Sequence, residues 1–406
     1  MRRWRVPYPK FGDGPALQRV ALLAEHLGID LKAFGPNAAA IIGSNGKGST
    51  AAMTAGLIAQ VEPNVGLFTS PHLLDLNERF RIGDDDISDD ELEHHWERVA
   101  QAITGSGLRE AVGGFEFLFL IAADWFKARG CGHTVWEAGL GGRLDPVRLI
   151  EARHTALTAL DLEHTALLGK SIREIALEKI AAVRPGNVLG VSNVIKHDAE
   201  VFGAISSWVA ANHVRVIVTP SLNEAPLAGL HQRSNAGLAH WLANAVTPIP
   251  QEVLSTGWSA VRWPGRLEVL STDPLEVIDV GHTPDGVRVA LEGFNELRGE
   301  RPAVLVCGVS ADKDADAIIS RLASEFSMII CATAQHKGAS AAHIAAHAQK
   351  ANPTAEITLA ESVAEARRLA RAKAGGGAIY VAGGLFLAAE FKAVHLGRDP
   401  ASLAFF

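Results

Sequence analysis

Short runs of consecutive apolar residues alternate along this chain with longer segments whose apolar positions recur every three or four residues. Runs that are apolar throughout suit strands covered on both faces, and the longer period suits helices packed against a sheet. Residues 38–42 read as a buried strand, followed by a glycine-rich turn and a helix over about 49–60. Further strands are expected at 65–68, 134–137, 155–160, 187–191 and 214–218. A helix over 172–183 places Ile172, Ile175, Ala176, Ile180 and Val183 on one face. A second block brings strands at 275–279, 303–307, 328–332, 357–360 and 378–381, each followed by a helical pattern. Strands alternating with helices predict parallel sheets. The expected division is two α/β domains, 1–258 and a smaller 259–406, parted just before the turn Arg262-Trp-Pro-Gly-Arg266.

Composition narrows the class. The chain has 406 residues, 48% of them hydrophobic, so more than one core can be filled. Lys plus Arg number 38 and Asp plus Glu 45, giving 38 − 45 = −7, which argues against a nucleic-acid coat protein. Three scattered cysteines without a CxxC pair suggest neither a disulfide framework nor a thiolate zinc site, and a cytoplasmic location is expected. The basic N-terminus is followed by no apolar run, so no secretory signal is expected. The densest apolar stretch, 115–126, is too short to span a bilayer and carries Glu116 and Asp124. No membrane partner is expected.

The first chemical signal is Gly43-Ser-Asn-Gly-Lys-Gly-Ser-Thr50, between a predicted strand and a predicted helix. Glycines let the backbone curl so that several N–H groups face one anion, and the helix N-terminus adds its dipole. Gly43, Asn45, Gly46, Gly48, Ser49 and Thr50 are the candidate phosphate-loop residues, with Lys47 reaching the β- and γ-phosphates. Ser49 or Thr50 is placed to meet a metal ion or a phosphate oxygen. The spacing departs from GxxxxGK[ST]: Gly43 lies only four before Lys47, and Gly48 intervenes before Ser49. The plain alternative is a polar turn with one lysine.

Three further segments follow in order. Gly66-Leu-Phe-Thr-Ser-Pro-His72 leads to Asn77-Glu-Arg-Phe-Arg-Ile82. Next comes Glu137-Ala-Gly-Leu-Gly-Gly-Arg-Leu-Asp145, and then His164-Thr-Ala-Leu-Leu-Gly169 with Glu178-Lys179 beyond it. In the second half stand His231-Gln232, Asn235-Ala236, Trp263-Pro-Gly-Arg266, Asp279 with His282 and Pro284, and Asp312-Lys-Asp314. Together these motifs resemble the folylpolyglutamate synthase/dihydrofolate synthase family of the Mur ligase superfamily, from about residue 10 onward. The fold this implies is a P-loop-type parallel-sheet ATP-binding domain followed by a smaller Rossmann-like α/β domain.

The resemblance implies an ATP-dependent ligase of folate biosynthesis and one-carbon metabolism, joining a carboxylate to the amine of glutamate through an acyl phosphate. Two anionic groups must meet in such a reaction, so cations and N–H dipoles have to offset their charge. The family pattern assigns Ser70, Glu137 and His164, with Ser49, to Mg²⁺, and two metal sites are implied. Hard oxygen donors suit that ion. It also places His164 and His282 near the reacting groups, and assigns Asn235 to adenine, Arg266 to phosphate and Asp279 to ribose. Lys179 corresponds to a lysine carbamylated in the superfamily, which would turn a cation into an anion; the plain alternative is a surface lysine paired with a helix glutamate. Small-molecule acid and amino-acid partners, a monomer, and closure of the second domain over the nucleotide are implied.

Departures concentrate on the two substrates. The family's Leu-Asp-Ala-Thr-Asn loop reads Leu144-Asp-Pro-Val-Arg148, its Asp-His pair reads Glu163-His164, and His-Asn-Pro reads His282-Thr-Pro284. A Pro-Arg-Ala element near the amino-acid site reads Gln335-His-Lys-Gly338, and Gly-Ser-Leu-Tyr reads Gly383-Gly-Leu-Phe386. The substrate candidates are therefore Phe115, Asp145, Arg148, Lys337 and Gly384. A Mur-type ligase for a non-folate acid or a different amine is the alternative within the class. A nucleotide-binding ATPase switch is the alternative outside it.

Overall fold

The computed structural model describes residues 4–10, 12–14 and 16–405. Residues 1–3, which open the basic N-terminal stretch, lie outside the described residues. The chain divides into two compact units: residues up to Pro226 with Gln232–Arg262, and Leu227–His231 with Trp263–Phe405.

The first unit is built on β1 (Ala38–Ile42), β2 (Val65–Phe68), β3 (Phe80–Ile82), β4 (Asp85–Asp86), β5 (His133–Glu137), β6 (His154–Leu157), β7 (Val188–Ser192) and β8 (Arg215–Thr219). They form one sheet in the order β4-β3-β2-β5-β1-β6-β7-β8. The six strands from β2 to β8 in that order run parallel. β1 is buried throughout, and its residues alternate between two cores. Ala38, Ala40 and Ile42 join Phe68, Phe119 and Trp136 on one face, while Ala39 and Ile41 join Leu57, Val135 and Leu238 on the other. A strand with helices on both sides has no polar face, which is why it reads as a continuous apolar run. The apolar stretch 115–126 lies on the helix Gly114–Ala128, where buried Glu116 accepts from Arg19, and buried Asp124 accepts from Arg98 and is hydrogen-bonded to His95. Among the described residues no helix is long and apolar enough to cross a membrane.

The second unit carries β9 (Glu268–Thr272), β10 (Leu275–Ile278), β11 (Ala303–Cys307), β12 (Met328–Ala332), β13 (Glu356–Ala360) and β14 (Ala378–Ala382), in the order β13-β12-β11-β14-β10-β9. All pairings are parallel except that of β9 with β10. Leu305, Ile329 and Tyr380 fill its core with Phe294.

Three strands escape the sequence pattern. β3 and β4 have only three and two residues, and β9 is a half-exposed edge strand. All three run antiparallel to their neighbours at sheet margins, where no doubly buried apolar run is needed. Some ends also shift. The helix expected over 49–60 spans Lys47–Ile58, because left-handed Gly46 (φ 86°) caps it. β6 stops at Leu157 rather than 160, since Ala159 leaves the ladder to accept from Ser44 and Asn45 N–H. The helix expected over 172–183 ends at Ile180.

Candidate active site

In the first unit the glycine-rich loop leaves the C-terminal end of β1, the side of an open parallel sheet where ligands bind. Gly43 (φ 145°) and Gly46 (φ 86°) both adopt backbone that other residues rarely take, and each packs too closely for a side chain. A Cβ on Gly43 would fall 1.9 Å from Thr158 Oγ1, and one on Gly46 would fall 2.6 Å from Asn235 Oδ1. The loop is thus pressed onto Asn235, itself buried and donating to Gln232. Asn45 donates to Asp161, and Gln232 donates to Ser49 Oγ. Thr50 Oγ1 is buried without a hydrogen-bond partner.

Two lysines converge on the loop. Lys47 Nζ donates to the carbonyls of Gly43 (3.1 Å) and Ser44 (3.2 Å). Lys179 Nζ donates to the same Gly43 carbonyl at 2.8 Å and to Glu163 at 2.6 Å. Lys179 is only 1% exposed, so it is neither a surface lysine nor the partner of a glutamate on its own helix. Burial and nearby Lys47 draw its ammonium down to about 8. For Glu163, burial favours the neutral acid, but Lys47 and Lys179 outweigh it and hold the carboxyl at about 2.

Glu137 ends β5 and is buried; its register partner on β1 is Ile41, two residues before Gly43. It accepts the Ser70 N–H at 2.9 Å. His164, exposed and left-handed (φ 45°), precedes the short helix Thr165–Leu168. Among the described residues no group of three His, Cys, Asp or Glu is arranged to cage a metal ion. One buried carboxylate, serine hydroxyls and the orphaned Thr50 hydroxyl instead fit a hard cation that keeps water and phosphate oxygens as most of its ligands.

Asp145 accepts from Gly139, Leu140 and Val147 N–H, so both its oxygens shape the loop after β5. Burial pushes its carboxyl up to about 6 despite those donors and Lys47. Half-buried Phe115 lies against Gly139, where a Cβ would come within 2.5 Å of its ring. Arg148 donates to Arg143 O, while its buried Nε lacks a hydrogen-bond partner.

The other predicted residues belong to the second unit. Asp279 follows β10, is buried, and accepts from Leu267 and Gly281 N–H. Burial raises its carboxyl pKa, and the nearby Arg266 opposes that. His282 meets Val280 O through Nδ1 at 3.2 Å. Lys337 is exposed with φ 50°, and buried Gly384 caps the helix Leu385–His395.

Sequence reasoning singled out the lysines but not their counter-charge. Glu163 was legible only as a neighbour of His164. A second unforeseen feature lies inside the segment 77–82: buried Arg79 donates Nε–H to His72 Nδ1 at 2.9 Å, and burial, opposed by nearby Glu137, draws its pKa down to about 9.

Comparison with known proteins places residues 265–385 under the family model described as Mur ligase, glutamate ligase domain. The "Probable bifunctional folylpolyglutamate synthase/dihydropteroate synthase" of Halobacterium salinarum is 31% identical over 408 residues, covering 94% of this chain and 50% of the relative. The chain thus spans about half the length of the haloarchaeal relatives it matches. A dihydrofolate synthase/folylpolyglutamate synthase of Bacillus subtilis is 29% identical over 79% of this chain and 81% of its own. A solved bifunctional folylpolyglutamate synthase/dihydrofolate synthase with Mn, AMPPNP and L-glutamate bound superposes with a TM-score of 0.81 at 26% identity, covering 97% of this chain and 99% of that one.

Proposed function

We infer that this chain, a relative of the folylpolyglutamate and dihydrofolate synthases with a Mur ligase glutamate ligase domain, is an ADP-forming ligase. It joins a folate- or pteroate-like carboxylic acid to the amino group of an amino acid such as glutamate. The observation that carries this reading is the gathering of Lys47 and Lys179 on one carbonyl of the phosphate loop, with Glu137 at the end of the adjacent strand.

The acid's carboxylate oxygen attacks the γ-phosphorus of ATP, ADP leaves, and an acyl phosphate forms. The amine then attacks the acyl carbon, and phosphate departs as the amide forms. Lys47 exchanges the Gly43 and Ser44 carbonyls for phosphate oxygens, while the loop N–H groups and the N-terminus of Lys47–Ile58 face the same charge. Mg²⁺, when bound, offsets phosphate charge; Ser49, Ser70, Glu137 and His164 would hold it, at two sites. His282, whose Nδ1 lies 3.2 Å from Val280 O, is the candidate base for the proton that the amine sheds. Asn235, Arg266 and Asp279 serve the nucleotide.

Lys179 is the candidate for carbamylation. CO₂ adds to a neutral amine, and a lysine drawn down to about 8 supplies that form more readily than an exposed one. A carbamate is an anion, so Glu163 must then turn out of its 2.6 Å contact or take up a proton. A ¹³C carbonyl resonance appearing with labelled bicarbonate, and lost in Lys179→Ala, tests this. The enzyme is placed in the cytoplasm as a monomer acting on small molecules, without nucleic acid or membrane partners.

The test of the whole reading is ADP release against a matrix of acids and amines, dihydropteroate with L-glutamate among them. Release that needs both an acid and an amine supports a ligase; release with neither makes the chain an ATPase. Arg148 favours a retuned acid, because its unpartnered Nε stands where the resemblance expects the small polar residues of a pterin pocket. If dihydropteroate turns over well and Arg148→Ala leaves its KM unchanged, that retuning is excluded.

A further inference from the structure

In the second unit, the segment after β12 is held unusually firmly for a surface loop. Glu390, on the helix Leu385–His395, is fully buried, yet it is an ionisable group. Its two oxygens accept the backbone N–H of Gln335 and of His336, each at 3.0 Å, and His336 Nδ1 lies 3.4 Å away. A buried carboxylate is costly unless its oxygens are bonded, so this one holds its loop tightly. The His336 ring packs against Phe386 and Phe405. Beyond it the backbone is fixed from the other side: Lys337 O accepts Ala311 N–H at 2.7 Å, Gly338 pairs with Ser310, and Ala339 N–H donates to Val309 O.

Between these two anchors sits Lys337. Its backbone is left-handed, a conformation disfavoured for lysine, and its side chain is exposed with no ion pair among the described residues. The backbone of the segment is held from both sides, and the Lys337 side chain is left exposed. It stands at the carboxyl end of a parallel strand, where open α/β sheets bind ligands.

We propose that Glu390 is a positioning residue for amine selection: it fixes 335–338 so that the Lys337 ammonium meets the free carboxylate of the amine substrate. The inference rests on the ligase reading above. Glu390 itself touches no substrate; it acts through the loop.

The experiment uses the full chain with Glu390→Gln, Lys337→Ala and the double variant, measuring ADP release with whichever amine serves the native chain. Glu390→Gln leaves one loop N–H without its acceptor, so the KM for the amine rises about tenfold, with kcat and the KM for ATP within about threefold. Hydrogen exchange at 335–338 quickens. Because Glu390 acts through Lys337, the double variant is no worse than Lys337→Ala. Glu390→Asp, which keeps the charge but withdraws it by a methylene, shows the same split and carries the test should Glu390→Gln not fold. An unchanged amine KM, an equal loss in kcat and both KM values, or effects that add to those of Lys337→Ala overturns the proposal. Native protein that releases ADP with no acid–amine pair overturns the ligase reading instead, so the two failures are distinct.

Discussion

Glu163 shows how a single residue tunes the site. Its carboxyl is held at about 2 against an ordinary 4.5, so its contribution to stability is full above about pH 4.5 and is lost as pH falls toward 2. With Lys179 uncarbamylated, Glu163→Gln removes that acid dependence and leaves Lys179 buried without its counter-charge, which costs about 3–5 kcal/mol. Lys179 can shed its proton, so the loss shrinks above pH 8. Urea unfolding at pH 7 and pH 9 therefore shows a large deficit at the lower pH and a smaller one at the higher; equal deficits contradict this account. Gly384 is a second informative residue. Its φ of 161° is ordinary extended backbone, and a Cβ there would meet no atom within 4 Å. The missing serine is thus not a steric exclusion. Gly384→Ser, at a helix N-cap, leaves Tm within a degree or two, since Ser exceeds Gly at that position by only a few tenths of a kcal/mol. If its hydroxyl meets the amine's carboxylate, KM for L-glutamate falls about fivefold, one hydrogen bond's worth.

At the scale of the element, the phosphate loop is shaped by what it leans on. The helix Lys47–Ile58 begins where Gly46 turns left-handed against the Asn235 amide. Gly46→Ala meets both the conformational penalty, about 1–2 kcal/mol, and a contact that must give way. The loop is driven off Asn235, while the helix, buried along most of its length, persists. Binding of an ATP analogue, followed by calorimetry, weakens at least tenfold while far-UV circular dichroism stays native. Unaltered binding means the loop tolerates displacement and its close packing is incidental. The three marginal strands β3, β4 and β9 teach the complementary lesson. Their residues carry no doubly apolar signature, because β4 and β9 are edge strands and β3, only three residues long, is covered on one side by the two-residue β4 alone.

For the whole molecule, the nucleotide binding that the ligase reading requires is the readiest global readout. A ligand that binds only the folded state stabilises it by about 2.7 kcal/mol at a hundredfold excess over Kd. ATP with Mg²⁺ accordingly raises Tm by a few degrees in the native chain, and Lys47→Ala abolishes most of that rise while its own unliganded Tm stays close to native. Turnover in Lys47→Ala falls 10²–10³-fold, the usual effect of losing one group that stabilises developing charge, about 2.7–4 kcal/mol. A full thermal shift in the variant removes Lys47 from the nucleotide site.

Local pattern alone specified the α/β alternation, the buried parallel strands and the glycine-rich turn between β1 and its helix. Each depends on residues adjacent in sequence: a strand buried on both faces must be apolar throughout, and a phosphate loop must contain glycine. The motifs naming Lys47, Glu137 and Lys179 were equally legible. Tertiary structure alone decided what those groups meet. Lys179 is 136 residues from the Gly43 carbonyl it shares with Lys47, and Glu390 is 55 from the loop it clamps. No periodicity encodes such pairings, because they arise only when parallel strands bring distant loops to one end of a sheet. Burial and the nearby Lys47 then lower the proton affinity of an otherwise ordinary lysine, Lys179.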